Sequence, residues 1–352
     1  MKKKILVHIG LHKTGTSAVQ LALNNNRRLL KDFGFLYPVA GCHYYWGQHN
    51  LAWEILAHPM YDPSKSGWKE FFREVESFEG SVVLSAEAFS TFSLVHIEEL
   101  KKRLKDFDVE ILLYLRGQVE WLQSFWCELA KGRQNAIEVP DLDSWVLSVA
   151  RSPDVFPSSP AGKRLGDFSV MLENWTSVFS HDSVTVRSFE KSIKGDLVED
   201  FLSDLGVSDI TRFNMPDRVN DKVDIKKLNL IRLARSILRE KGLCENGIEE
   251  FKRFLMSYDG LNSTANGIHM QESTVKSVVD RYGCGNSKVI EEFFLGEEVL
   301  PTKNMGKVFV TVQDYTLDEV SRLVSEMHFN RSSHKENYFI KSIRKILKGT
   351  EG

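Results

Sequence analysis

The sequence predicts an α/β fold in three layers, a central parallel sheet between helices, followed by a helical C-terminal extension. Three observations lead there. Short apolar runs rich in β-branched residues alternate with helical patterns along roughly the first 200 residues. The first run stops at a glycine loop that opens into a helix, the pattern of a buried parallel strand. From about residue 222 onward, helical periodicity dominates.

The first strand is ILVHI (5–9). A helix is expected from Thr16 to about Leu30, with Ala18, Leu21, Ala22 and Leu29 on its apolar face and Thr14 or Thr16 capping its start. SVVLSA (81–86) and VEILLYL (109–115) are the next strands. The helix QVEWLQSFWCELAKG (118–132) follows, with Trp121, Leu122, Phe125 and Leu129 as its stripe. SVTVRSF (183–189) is a fourth strand, and DLVEDFLSDLGV (196–207) a helix closed by Gly206. RSPDVFPSSPAGKRLG (151–166) reads as a loop rather than a domain border. Beyond it, DIKKLNLIRLARSILREKG, EEFKRFLMSYDG and TLDEVSRLVSEM carry helical patterns, and no internal repeat is present. The expected organisation is a single domain over 1–330, helical from about 222, and a basic amphipathic tail over 331–352. In the tail, HKENYFIKSIRKILKG places Phe339, Ile340, Ile343 and Leu347 on one side. Core packing or solvation is the first reading of it, and a peripheral membrane contact the second.

Composition narrows the class. Across 352 residues, 46 basic and 48 acidic side chains leave a formal charge of −2, so no global field draws the chain to nucleic acid. Cys42, Cys127, Cys244 and Cys284 are scattered without a C-x-x-C pair, which fits a reducing compartment and gives no structural zinc. The start MKKKILVHIG has too short an apolar run for a signal peptide, and no run of about 20 apolar residues exists to span a bilayer. Three Asn-x-Ser/Thr matches, at Asn174, Asn262 and Asn330, read as chance. A cytoplasmic protein is expected.

The loop HIGLHKTGTS (8–17) has the outline of a phosphate cradle: Gly10, four residues, then Gly15-Thr16-Ser17. A nucleoside-triphosphate loop has lysine directly after its second glycine. Here that position is Thr16, and the loop lysine is Lys13. A strand–glycine–helix corner directs free N–H groups and a helix dipole at one anion, and Thr14, Thr16 and Ser17 add hydroxyls. A bare turn is the bland alternative, but Lys-Thr-Gly-Thr-Ser directly after the first strand favours anion binding. A magnesium-triphosphate site also wants an aspartate at another strand end, whereas these strands end in SAE (85–87) and YLRG (114–117). In YLRGQVEWLQSFW, Arg116 stands at a strand's carboxyl end, where open α/β sheets bind ligands, and Ser124 about two turns into the next helix. That pair suits a second phosphate. Alone, Arg116 would read as a structural partner of Glu120.

These two stretches resemble the sulfotransferases that use 3′-phosphoadenosine 5′-phosphosulfate (PAPS), above all bacterial carbohydrate-type members. HIGLHKTGTSAVQ is similar to their 5′-phosphosulfate loop, and YLRGQVEWLQSFW to their 3′-phosphate motif. The likeness continues more weakly through SAE (85–87), VRSFEKS (186–192), DLGV and RVND (218–221), covering about residues 4–221. The resemblance implies a P-loop-like fold, PAPS as co-substrate and no metal. It implies that Lys13, Thr14, Gly15, Thr16 and Ser17, lined by His12, hold the 5′-phosphosulfate. Arg116 and Ser124 would hold the 3′-phosphate, and Arg218 would close over the nucleotide. Lys13 would assist the leaving phosphate. The acceptor expected is a hydroxyl on a carbohydrate or glycolipid.

A base must take the acceptor's proton. Glu87, ending the SVVLSAE strand, is the first choice, against a carboxylate that only orients Lys13 or caps a helix. His49, in the aromatic-rich HYYWGQHNLAW (43–53), is the second. Those aromatics could line an acceptor pocket or belong to the core. His43 and His12 are weaker candidates, Lys131 and Arg133 read as solvated surface, and Arg187 as a strand-end stabiliser. Two rival readings stand beside the transferase: a small-molecule kinase with a degenerate loop, and a non-catalytic nucleotide-binding protein of the same fold.

Overall fold

The computed structural model describes residues 2–43, 46–132, 139–151, 165–207, 209–216, 225–240, 249, 252–253, 255–256, 268–297 and 299–300. The chain divides into two compact units. The first comprises Met1–Trp121, Ser148–Asp221 and Lys276–Met305, and the second Leu122–Leu147, Lys222–Val275 and Gly306–Gly352.

The first unit is built on a five-stranded sheet: β1 (Lys4–His8), β2 (Phe35–Leu36), β3 (Ser81–Ser85), β4 (Asp108–Leu115) and β5 (Val184–Ser188). The order is β2-β3-β1-β4-β5, and every neighbouring pair is parallel. From β1 the chain steps outward to β2, returns to β3, then crosses to β4 and β5. The loop after β1 therefore lies where the order reverses, the usual ligand position of an open α/β sheet. Successive residues of a strand face opposite sides, and Ile111, Leu112, Leu113, Tyr114 and Leu115 are all buried. Both faces of the sheet are thus covered, as the apolar runs require.

The helices are α1 (Thr16–Asn25), α2 (Arg27–Asp32), α3 (His49–Leu56), α4 (Trp68–Glu76), α5 (Leu94–Arg103), α6 (Gln118–Ala130), α7 (Leu142–Arg151), α8 (Phe168–Phe179), α9 (Phe189–Ser192), α10 (Leu197–Asp204), α11 (Ile225–Glu240) and α12 (Glu272–Phe294). Val19, Leu23, Leu30, Phe201 and Leu202 from α1, α2 and α10 pack with Val83 and Leu112 of the sheet. Burying each such side chain is worth about 1.5–3 kcal/mol. Asp196 caps α10 by accepting the N–H groups of Val198 and Glu199.

The four strands expected from the sequence are present, each within a residue or two. β2 was not anticipated, because two residues carry no alternation. The single helix expected from Thr16 to Leu30 is two, broken at Asn26. The Asn26 N–H still bonds the Ala22 carbonyl, but its side-chain amide also donates to the carbonyls of Ala22 and Asn214 and accepts the Asn214 N–H, which ties the break to a distant segment. The apolar face of α1 is also rotated: Val19, Ala22 and Leu23 are buried, whereas Ala18 and Leu21 are half-buried.

In the second unit, Phe125 of α6 stacks on Trp145 of α7 with centroids 6.1 Å apart, and the Trp126 indole donates to the Pro140 carbonyl at 2.9 Å. Leu228, Ile231 and Ala234 of α11 are fully buried. Among the described residues, no helix is long and apolar enough to cross a membrane. The expected tail, most of the 151–166 loop, and the segments EEFKRFLMSYDG and TLDEVSRLVSEM fall largely or wholly outside the described residues.

Candidate active site

The loop after β1 stays on the sheet for three more residues: the Ile9 and Leu11 N–H groups donate to the Leu112 and Tyr114 carbonyls, and the Tyr114 N–H to the Gly10 carbonyl. It then turns through Lys13 at φ 65° and Gly15 at φ 75°. The left-handed value at Gly15 suits glycine, and a β-carbon there would lie 2.3 Å from Leu197 Cδ2. The N-cap of α1 is Gly15, and no side chain caps it. This corrects the expected threonine cap: Thr14 Oγ1 instead donates back to the Leu11 carbonyl at 2.7 Å, and Thr16 is the first helical residue, buried. The Thr14 hydroxyl hydrogen is thereby used within the loop. Thr16 and Ser17 remain in the first turn of α1, whose N–H groups have no intrahelical acceptor. Ser17 is half-buried.

Arg116 stands one residue past β4, beside this loop. Its Nη1 donates to the Lys13 carbonyl at 3.1 Å, and its guanidinium lies over the Phe189 ring, 5.1 Å from the centroid. The motif that carries Lys13 and the strand end that carries Arg116 are therefore in direct contact. Trp121 adds a second brace, its indole N–H donating to the His12 carbonyl at 2.7 Å. Beside them the Gly117 N–H donates to Glu190 Oε1 at 3.1 Å, while Glu190 Oε2 is buried without a partner. Burial pushes the Glu190 carboxyl up, against the Gly117 N–H and the Arg116 charge.

Glu87 opens the turn after β3, so close to the loop that a β-carbon on Gly10 would lie 3.0 Å from Glu87 Cβ. Gln48 brings α3 to the same edge: its side-chain oxygen accepts the Ser85 N–H and its own N–H donates to the Ser85 carbonyl, both at 2.9 Å. His49 follows directly. The result is a cluster around one carboxylate. Gln20 Nε2 donates to Glu87 Oε2 at 3.0 Å, His49 Nε2 lies 3.5 Å from the same oxygen, and His12 Nδ1 lies 3.8 Å from Oε1. Burial alone would raise the Glu87 carboxyl. The fields of His49 and His12, with hydrogen bonds from its own backbone and Gln20, overcome that and hold it at about 2. Burial also lowers the His12 imidazole, Glu87 opposes this, and His49 and Lys13 reinforce it. Because the His12 side chain is 38% exposed, water moderates the burial component. The His49 side chain is only 7% exposed and its ring stacks on Trp53 at 5.5 Å.

No protein-family model matches the sequence. A protein of Archaeoglobus fulgidus, described as uncharacterized, is 25% identical over 160 residues; the match spans 45% of this chain and 37% of that protein's own length. Among solved structures, the fold is similar to a sulfotransferase from Alicyclobacillus acidocaldarius, with 17% identity over 72% of this chain and 97% of that one, at a TM-score of 0.40. A likeness of that degree carries no functional weight, so activity must be argued from the side chains above.

Of the residues singled out in the sequence, His12, Lys13, Thr14, Gly15, Thr16, Ser17, His49, Glu87 and Arg116 lie in the first unit, on the segments that meet at the carboxyl edge of β1, β3 and β4. Ser124 is half-buried on the part of α6 that belongs to the second unit. Arg218 and Arg133 lie outside the described residues. Lys131 pairs with Glu128 at 2.7 Å, and Arg187 with Asp204. His43 packs edge-on against Trp53 at 5.1 Å. Gln20, Gln48 and Trp121 were not anticipated: each acts through a partner 37 or more positions away in sequence, and nothing local marks them.

Proposed function

We propose that this chain is a PAPS-dependent sulfotransferase acting on a hydroxyl acceptor. The observation that carries the reading is the Arg116–Lys13 contact, which sets the Arg116 guanidinium against the backbone of the loop that carries Lys13 and opens into an uncapped helix N-terminus. The donor, when bound, supplies an electrophilic sulfuryl group on a bridging phosphate. Lys13, the backbone N–H groups of Gly15, Thr16 and Ser17, and the Ser17 hydroxyl hold its anionic end, while Thr14 keeps the turn in shape. Arg116 takes the 3′-phosphate. Lys13 neutralises the bridging oxygen as it departs.

Glu87, His49 and His12 act as one proton-accepting unit. A carboxyl held near 2 is ionised at neutral pH but is a weak base, so its stronger contribution is to favour a proton on the His12 imidazole facing it. His12, the more exposed ring, meets the acceptor; His49 and Gln20 keep Glu87 in place. Such a unit contributes about 10²–10⁴-fold. The acceptor proposed is a carbohydrate or glycolipid.

The test is thermal-shift titration with 3′,5′-adenosine bisphosphate and with magnesium-ATP, followed by labelled PAPS with an acceptor panel. Stabilisation by the bisphosphate together with label transfer supports the reading. Stronger protection by magnesium-ATP would replace it with a kinase, and bisphosphate binding without transfer to any acceptor with a non-catalytic binder.

A further inference from the structure

Gln118 of α6 and Asn286 of α12 stand 168 positions apart in sequence and form a closed pair of amides. Gln118 Nε2 donates to Asn286 Oδ1 at 2.7 Å, and Asn286 Nδ2 donates back to Gln118 Oε1 at 3.0 Å. Gln118 Nε2 also donates to the Gly166 carbonyl at 3.1 Å. Gln118 is fully buried and Asn286 is 1% exposed, so water does not stand in for either partner. Replacing Asn286 alone therefore strands the Gln118 side-chain oxygen. Tyr282 and Gly285 share the face of α12 that carries Asn286. The Tyr282 hydroxyl donates to the Leu165 carbonyl at 2.7 Å, and a β-carbon on Gly285 would lie 2.7 Å from Ser169 Oγ. One helix face thus grips residues 165–169 and the start of α6, all within the first unit.

Gln118 follows Arg116 by two residues. Upstream, the Arg116 backbone is anchored by β4, where Leu115 is in register with Ser188 of β5. Downstream comes Gly117, which has no β-carbon to restrict the turn. Its N–H donates to Glu190 and its carbonyl accepts the Trp121 N–H, so this end is fixed by α9 and by the first turn of α6. The Gln118–Asn286 pair sets that first turn. The Arg116 guanidinium lies against the Lys13 carbonyl and the Phe189 ring, and an arginine fork selects its ligand only while its direction is held.

We infer that Gln118 and Asn286 are positioning residues for Arg116, through which α12 sets the site's preference for a nucleotide bearing a second phosphate. Both act through the turn rather than on the ligand. The inference rests on the reading in which Arg116 takes the 3′-phosphate. It extends the nucleotide site to a helix outside residues 4–221.

Calorimetry on the full chain with 3′,5′-adenosine bisphosphate and with 5′-AMP tests it, alongside amide hydrogen exchange. Asn286→Leu should weaken bisphosphate affinity about three- to tenfold, leave 5′-AMP within about twofold, and speed exchange at Gly117 relative to the β4 amides. Gln118→Met keeps the side-chain length, loses the same pair, and should do likewise. Tyr282→Phe removes a different hydrogen bond of the same helix face. It should lower the urea midpoint while leaving the nucleotide ratio and the relative Gly117 exchange unchanged, which separates positioning from a general loss of stability. An unchanged ratio in Asn286→Leu and Gln118→Met, an equal change of ratio in Tyr282→Phe, or failure of both amide variants to fold would overturn the positioning role. A wild type with no preference for the bisphosphate would instead overturn the transferase reading, and the exchange rates would still decide whether the pair holds the turn.

Discussion

Replacing Glu87 by glutamine removes one charge while keeping the shape and an acceptor oxygen for Gln20. The carboxyl sits at about 2 against an ordinary 4.5, so its cluster favours the charged form by about 3 kcal/mol. The side chain is 17% exposed, and little of that is lost to solvent screening. Two consequences have definite signs. The folded value is depressed, so this stabilisation is complete above pH 4.5 and fades as pH falls toward 2; Glu87→Gln lacks that acid component and is less stable at neutral pH by up to about 3 kcal/mol. Glu87 also opposes the lowering of His12, so without it the His12 imidazole titrates at still lower pH and accepts a proton less readily. Turnover should fall about 10²–10⁴-fold while the affinity for 3′,5′-adenosine bisphosphate changes less than about twofold. Single-turnover label transfer, calorimetry with the bisphosphate, and an NMR titration of the His12 ring read the three quantities. Full turnover in Glu87→Gln, or a loss confined to nucleotide affinity, would refute the proton-accepting unit.

Arg116→Ala should remove the preference for 3′,5′-adenosine bisphosphate over 5′-AMP, lowering bisphosphate affinity at least about tenfold because a charge-assisted pair is lost; calorimetry with both nucleotides checks this. Gly15→Ala meets both the left-handed backbone and Leu197, so the bisphosphate thermal shift should vanish and urea unfolding should show a loss above about 1 kcal/mol. His8 is buried, bonded through Nδ1 to Ser85 Oγ at 2.8 Å, and burial lowers it to about 4 from 6.5. The unfolded chain takes up that proton first, so its contribution to stability is complete above pH 6.5 and about 3 kcal/mol is lost by pH 4. Urea midpoints measured from pH 7 to pH 4 should show this slope in wild type and not in His8→Leu.

Much of the first unit is legible because its signals are local. The four short segments rich in β-branched and apolar residues, ILVHI, SVVLSA, VEILLYL and SVTVRSF, each became a strand, and the glycine loop announced its own helix. The Glu87 cluster is different. His12, Gln20, His49 and Glu87 are brought together only by the β1–β3 register and by Gln48 clamping the Ser85 backbone, neither of which leaves a mark in any short window. The sequence could name Glu87 and His49 from residue type and strand position. It could not show that they face each other, nor that Gln20, buried in α1, completes them. The aromatic segment likewise looked uniform, yet Trp53 is enclosed and Trp46 is not.

The choice between sulfuryl and magnesium-dependent phosphoryl transfer turns on what the carboxylates at this edge are committed to. A hard divalent cation needs ionised oxygens with lone pairs facing outward. Glu87 is ionised, but its oxygens face Gln20, His12 and His49. Glu190 has an unpartnered oxygen, but it is buried and pushed toward its neutral form. Each carboxylate has one of the two properties and lacks the other. The positive charge on these segments is fixed to the protein, on Lys13 within the loop and on Arg116, which is bonded to the same loop's backbone. In the proposed reading the 5′-phosphosulfate faces Lys13 and the 3′-phosphate faces Arg116, so each anionic end of the donor meets one of these cations. On that proposal, lysine ahead of the second glycine and arginine closing the adjacent strand end are two parts of one electrostatic arrangement.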